Sequence, residues 1–196
     1  MMFVLAFILG LATAIVLPAV DKATASAEQV QTVANGANIY KAAFASQMQS
    51  LVLGGDQPVW PSKGQYRTST EYFRELVESR TLNVTYDFFA APGLPPARSS
   101  DPRDFKAENN AWRMVLGLDN APEGTPFLFT RNYEPDALRA GDDPIVLNDE
   151  PPFGTNGLVV VLKGGSAFFL KGDQLRNSFF NPAGTAADVG LEIVGP

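Results

Sequence analysis

The stretch that decides the fold is MMFVLAFILGLATAIVLPAV, Met1–Val20, which contains no charged residue. About 20 apolar residues are enough for a helix to span the hydrocarbon core of a bilayer. The chain continues as DKATASAEQVQTVANGANIYKAAFASQMQSLVLGG, Asp21–Gly55, without proline and with many alanines and glutamines, which favour helix. We therefore predict one helix from Met1 to about Leu53, ended by Gly54–Gly55.

This helix divides into a hydrophobic half, residues 1–20, and an amphipathic half, residues 21–53. In the second half, apolar side chains recur at steps of three and four, which predicts a stripe along one helix face that holds the rest of the chain: Val30, Val33, Ala37, Tyr40, Phe44, Met48 and Leu51. At roughly 80 Å the helix is too long for residues 54–196 to cover. Its first half must therefore protrude, and a bilayer or other copies of the chain must cover it.

Two positions weaken the predicted helix. Pro18 removes one backbone hydrogen bond, and Gly10 lies eight residues before it. The simple interpretation is a tolerated kink; the functional one is a stretch between Gly10 and Pro18 that unwinds when subunits pack. Asn35–Gly36 is a second weak point.

The run FILGLATAIVLPAVDKATASAEQ, residues 7–29, resembles the N-terminal helix of type IV pilins and of type II secretion pseudopilins. In that family a glycine is followed eight residues later by a proline, and then by small residues and a charged pair; Gly10, Pro18 and Asp21–Lys22 match this pattern. The resemblance implies that the hydrophobic half forms the core of a filament, with these core residues: Phe3, Phe7, Ile8, Gly10, Leu11, Ile15, Leu17 and Pro18.

The sequence departs from the family at its start. The family has a basic leader ending in glycine, a phenylalanine at the cleavage site and a glutamate near the mature N terminus. None of these precedes Gly10. We expect that the sequence begins inside the motif; the alternative is a subunit without the motif. A cleaved secretory signal or a plain membrane anchor would also explain Met1–Val20, although no basic residue precedes the apolar run, as a signal would require.

The remaining residues, 54–196, predict a globular head of α+β class. Thr68–Arg80 reads as a short helix with Thr68 and Glu71 as a capping box and a buried face of Tyr72, Phe73, Leu76 and Val77. Ala90–Pro102 is proline-rich and reads as a loop. Strands are predicted at Thr81–Phe89, Trp112–Leu118, Pro126–Arg131, Gly157–Lys163, Ser166–Lys171 and Val189–Val194, with Gly164–Gly165 as a two-residue hairpin turn. The expected architecture is pilin-like: the long helix packed on an antiparallel sheet of three to five strands, with a second short helix.

Composition argues against several classes of function. The chain has no cysteine and no histidine, so thiolate nucleophiles, zinc sites of the Cys type and an imidazole general base are excluded. Net charge is −6 and no run of lysines or arginines exists, which argues against nucleic-acid binding. We predict no catalytic residues and no cofactor, and an enzyme is the least supported class.

An acidic cluster is the one candidate for a metal site. Carboxylates and carbonyls in a loop are the ligands that calcium prefers, and the resemblance is relevant because major pseudopilins bind calcium in a loop near their C-terminal strands. The candidates are Asp142, Asp143, Asp149 and Glu150, in a segment that also holds Glu134 and Asp136. The spacing of an EF-hand is absent, and a solvated acidic loop is the simpler interpretation.

The sequence therefore predicts a structural subunit of a bacterial type IV pilus-like filament. Its partners would be copies of itself, the inner membrane before assembly and, as the resemblance implies, an assembly ATPase with a platform protein; no sequence-specific nucleic acid is expected. A pseudopilin that forms a short periplasmic piston is the alternative within the family. A membrane-anchored surface adhesion module that never polymerises is the alternative from another class.

Overall fold

The computed structural model describes residues 2–52, 60–138, 141–180 and 190–196, with the side chains of the first helix described from Val20 onward except Asp21, Gln47 and residues 49–52. The first helix, α1, spans Met2–Val52, in agreement with the predicted helix. Pro18 and Asn35–Gly36 both lie inside it, so the backbone is helical through both predicted weak points.

The face of α1 that contacts the head differs from the predicted stripe. Its buried residues recur at steps of three and four and are mostly small: Thr32, Gly36, Ile39 and Ala43. Of the predicted stripe, Val33 and Tyr40 pack at the edge of the core, whereas Val30, Phe44 and Met48 are exposed. The predicted stripe is displaced from the observed contact face by about one residue, or about 100° around the helix. The prediction was wrong because it was based on the large apolar side chains.

Small residues face the sheet because α1 approaches it closely. A Cβ atom on Gly36 would lie 2.7 Å from Cγ2 of Val161 and 2.8 Å from Cη2 of Trp112. Next to it, the Asn35 side chain donates a hydrogen bond to the carbonyl of Phe88 at 3.2 Å. Asn35–Gly36 is therefore the point at which α1 is fixed to the head.

The head contains a five-stranded, fully antiparallel sheet in the order β4-β3-β2-β1-β5. The strands are Trp112–Leu116 (β1), Pro126–Thr130 (β2), Leu158–Leu162 (β3), Ala167–Leu170 (β4) and Glu192–Val194 (β5). Helix α1 packs on β3 and β4, and the next helix packs near β1. The fold is therefore α+β, as predicted.

The β3–β4 hairpin has a three-residue loop and not the predicted two-residue turn. Leu162 N–H donates to the Ser166 carbonyl at 2.8 Å, which leaves Lys163, Gly164 and Gly165 in the loop. Gly165 has φ +87°, as the third residue of such a loop requires. A side chain there would also strike Tyr40, because a Cβ would lie 2.7 Å from its Cε1 atom.

The second helix, α2, spans Ser69–Glu78 and is capped by Thr68, whose side chain accepts a hydrogen bond from Glu71 N–H at 3.1 Å. The Glu71 carboxylate accepts a hydrogen bond from Arg67 N–H at 2.8 Å. In a standard capping box the donor would be the N–H of Thr68, one residue later. Tyr72, Phe73 and Leu76 are buried as predicted, and Val77 is half-buried.

A buried polar network ties the start of α2 to β1. The Asn110 amide donates to the Ser69 hydroxyl at 2.9 Å and to the Thr70 hydroxyl at 3.1 Å. Its carbonyl oxygen accepts from Trp112 N–H at 3.0 Å. Since an unpaired polar group in a core is costly, this network fixes where α2 begins relative to the sheet.

The predicted strand Thr81–Phe89 was wrong. The segment is an irregular loop that ends in a 3-10 helix at Tyr86–Phe89. Tyr86 and Phe89 are both buried, and residues three apart share one side of a 3-10 helix but would lie on opposite faces of a strand. Ala90–Pro102 is a loop as predicted. A short third helix, α3, occupies Asn177–Phe180.

The close approach at Gly36 predicts that a larger residue there destabilises the head. We expect Gly36→Leu to lower the free energy of unfolding by about 2–3 kcal/mol, because overpacking outweighs the roughly 1 kcal/mol by which the substitution favours helix. Urea denaturation of the full chain in detergent, monitored by tryptophan fluorescence, measures the change in the free energy of unfolding. The matched control is Ala34→Leu on the exposed face of α1. Equal effects of the two substitutions would contradict the close approach.

Arg80, just beyond α2, is the one non-glycine residue with positive φ in the described part of the chain, at +61°. The left-handed conformation costs an L-residue roughly 1–2 kcal/mol, whereas glycine adopts it freely. We expect Arg80→Gly to raise the free energy of unfolding by about 0.5–1 kcal/mol, since the exposed side chain contributes only about 0.3 kcal/mol through the helix dipole. Arg80→Ala keeps the strain and should bring no gain; a gain equal to that of glycine would argue against strain.

Candidate functional site

The described side chains of α1 are exposed over the segment that precedes its contact with the head. Every described side chain from Val20 to Glu28 is exposed, and the first buried residue is Thr32. The helix continues to Met2. We call Met2–Ala27 the stalk; it corresponds to about 39 Å of helix at 1.5 Å per residue.

Beside the head, α1 carries exposed apolar side chains that form an outer stripe, Val30, Phe44 and Met48, with exposed fractions of 68%, 37% and 43%. Tyr40 lies at its edge, with its ring stacked on that of Phe44 at 5.7 Å between centroids. Val30, Phe44 and Met48 were predicted to hold the head. They instead form an apolar surface on the helix face beside the head contact.

A cleft of about 740 Å³ lies where the stalk meets the head. We call it the neck cleft. It is formed by α1 and two proline-containing loops, with these lining residues: Ala25, Glu28, Gln29, Pro92, Gly93, Asp149, Pro151, Pro152, Phe153, Gly154, Thr155 and Asn156. Its charged lining residues, Glu28 and Asp149, are both acidic. Neither side chain has a partner within the described residues. No pattern in the sequence signals this cleft, because its walls come from three distant segments.

The predicted calcium candidates are distributed over separate places. Asp142 forms an ion pair with Arg176 at 3.2 Å and accepts from the Ser178 hydroxyl at 2.8 Å. Glu150 pairs with Arg131 at 3.4 Å. Asp149 lines the neck cleft.

Asp143 lies in a separate concavity of about 440 Å³ together with Glu134 and Asp136. Within residues 2–52, 60–138, 141–180 and 190–196, no group of three acidic side chains is placed to hold a metal ion. The loop therefore does not bring Asp142, Asp143, Asp149 and Glu150 to one point.

The predicted filament-core residues, Phe3 to Pro18, belong to α1, but their side chains lie outside the described residues. Within the residues whose side chains the structure describes, no helix has both the length and the hydropathy to cross a membrane.

Local contacts, and not one shared site, shift the pKa values of Tyr66 and Lys163 in the head. Burial and the neighbouring Glu75 carboxylate, which accepts a hydrogen bond from the Tyr66 hydroxyl at 2.9 Å, raise the pKa of Tyr66. Burial lowers the pKa of Lys163, whose ammonium group donates to the carbonyls of Asp119 and Ala121. These groups lie in different parts of the head and stabilise loops.

No protein-family model, curated protein or solved structure matches this chain. The features of the chain that bear on function are the stalk, the apolar outer stripe and the neck cleft.

Proposed function

We propose that this chain is a structural subunit of a bacterial type IV pilus-like filament. The observation that carries the proposal is the stalk, about 39 Å of helix that precedes the first buried residue of α1. The described side chains of the stalk are exposed, and its first residues belong to an uncharged sequence. Such a sequence is unstable in water and needs a bilayer or other copies around it.

The proposed mechanism is polymerisation. Before assembly, Met1–Val20 holds the subunit in the inner membrane; in the filament the same segments bundle at the centre and the heads form the outer wall. The outer stripe supports this, because Val30, Phe44 and Met48 continue an apolar surface along α1 beside the head. An assembly ATPase and a platform protein are the partners that the family resemblance adds.

The pilin-like character of the fold is part of the proposal. A long N-terminal helix on an antiparallel sheet is the arrangement that the resemblance implies, and the head has that arrangement. Fold alone does not fix a function, however. A secretion pseudopilin would share every one of these features, and the two differ in the length of the polymer.

Removal of the first 20 residues tests the polymer. We expect the full chain, diluted from detergent, to form fibres visible by negative-stain electron microscopy. A variant that lacks residues 1–20 should remain a monomer in analytical ultracentrifugation, because the core segment is gone. Long fibres support a pilus and short rods a pseudopilus. A full chain that stays monomeric in membranes would favour the anchored adhesion module, and a truncated chain that still polymerises would place the core elsewhere.

Substitution of the outer stripe tests its role in assembly. Replacing Val30, Phe44 and Met48 together by serine should weaken subunit association by about 3 kcal/mol, since each partly exposed side chain contributes about 1 kcal/mol on burial. That corresponds to a rise of about 100-fold in the critical concentration for assembly, measured by sedimentation of polymer.

The matched control replaces exposed residues on another face of α1 by serine: Gln31, Asn38 and Ala45. Their polar or small side chains offer little apolar area, so the critical concentration should change less than threefold. If both triple variants weaken assembly equally, the outer stripe is not a subunit contact.

A further inference from the structure

The two ends of the head carry opposite charges. At the stalk end, the neck cleft is lined by the exposed carboxylates Glu28 and Asp149. Neighbouring Glu150 is already paired with Arg131. Within the described residues, no cation pairs with Glu28 or Asp149, so the cleft has room and charge for a basic group.

At the other end, Arg80 projects from the C terminus of α2. Its side chain is exposed and has no hydrogen-bond or ion-pair partner in the described part of the chain. It borders a concavity of about 270 Å³ in which it is the only charged lining residue, with these neighbours: Ala42, Ala45, Ser46, Ser79 and Thr81. A free arginine is well suited to bind carboxylates with two hydrogen bonds.

The distance between these ends follows from α1 itself. Glu28 lines the neck cleft, and Ser46 lines the concavity beside Arg80. At 1.5 Å per residue, they are about 27 Å apart along the helix axis. A second copy that is displaced along α1 by about the length of the head can therefore bring its Arg80 to the neck cleft of the first.

We infer that Arg80 of one copy enters the neck cleft of the next and binds between Glu28 and Asp149, so that heads stack head to tail along α1. The inference rests on the proposed polymer and names the contact between its heads. The occupant is a second copy because the charges are complementary, and because such stacking places the stalk of one copy beside the head of the next. A head-to-tail contact joins two different surfaces and repeats from copy to copy, and it continues as an open filament when the rotation between copies does not close into a ring.

The backbone of Arg80 supports this role. Its φ of +61° is a conformation that glycine adopts without strain, so the fold by itself favours glycine there. Strained residues persist where the surroundings or a function require the side chain. In the assembled contact, the required group is the guanidinium.

Charge reversal tests the contact in the full chain. We expect Arg80→Glu and Asp149→Arg each to raise the critical concentration for assembly at least tenfold, and the double variant to recover most of the loss because the charges are exchanged. Arg98→Glu is the control, since Arg98 is an equally exposed arginine without a side-chain partner in the described residues. Loss of assembly in Asp149→Arg but not in Arg80→Glu would mean that another cation occupies the cleft, and would overturn the inference.

Arg80→Gly separates a contact role from a structural one. A structural role predicts that relief of strain improves both stability and assembly. The contact predicts a higher melting temperature of the subunit together with a critical concentration raised at least fivefold. An Arg80→Gly variant that assembles as well as the native chain would overturn the inference even if the other variants fail to fold.

Cysteine cross-linking gives direct evidence of proximity, because the chain has no native cysteine. Subunits with Arg80→Cys, carrying a large tag, are mixed with Asp149→Cys subunits before assembly and then oxidised. We expect mixed-tag dimers, each with one tagged and one untagged subunit, in denaturing gels. None should form when Arg98→Cys replaces Arg80→Cys. Fibres without mixed-tag dimers would refute this contact and leave the filament proposal intact, whereas a native chain that forms no fibres would refute the filament proposal itself.

Discussion

The structure depends on a mismatch of length between one helix and the domain that it carries. Helix α1 spans Met2–Val52, and buried contacts with the head begin only at Thr32. The N-terminal part of the helix therefore has no partner within the described residues of its own chain. Helices are stable in water mainly through the packing of one face, so a stalk of this kind needs partners from outside the subunit.

Where α1 does contact the head, the fit is set by small residues. Gly36 leaves room for Val161 and Trp112, and Asn35 donates to the loop carbonyl of Phe88. This close contact fixes the rotation of α1 about its own axis. The rotation then decides which apolar side chains are buried and which form the outer stripe, so one glycine determines the surface that the subunit presents to others.

The sequence predicts local features of this fold well and packing features poorly. The Thr68 cap, the pairing of β3 with β4 and the extent of α1 depend on neighbours within a few residues and were predictable, although the β3–β4 loop has three residues and not the predicted two. The rotation of α1 about its axis was not predictable. The periodic pattern of large apolar side chains favoured a face with Val30, Phe44 and Met48, whereas the face that packs on the head carries Thr32, Gly36 and Ala43. The neck cleft and the left-handed backbone of Arg80 depend on distant segments, and no pattern in the sequence signals either feature.

The polarity of the head follows from the same geometry. Because α1 crosses the head in one direction, it separates a stalk end with Glu28 and Asp149 from an end with Arg80. Two surfaces of opposite charge at opposite ends cannot satisfy each other within one subunit. In the proposed filament, head-to-tail stacking pairs the two surfaces of neighbouring copies and covers the stalk in the same step, so the charge pattern of the head and the exposure of α1 support the same proposal.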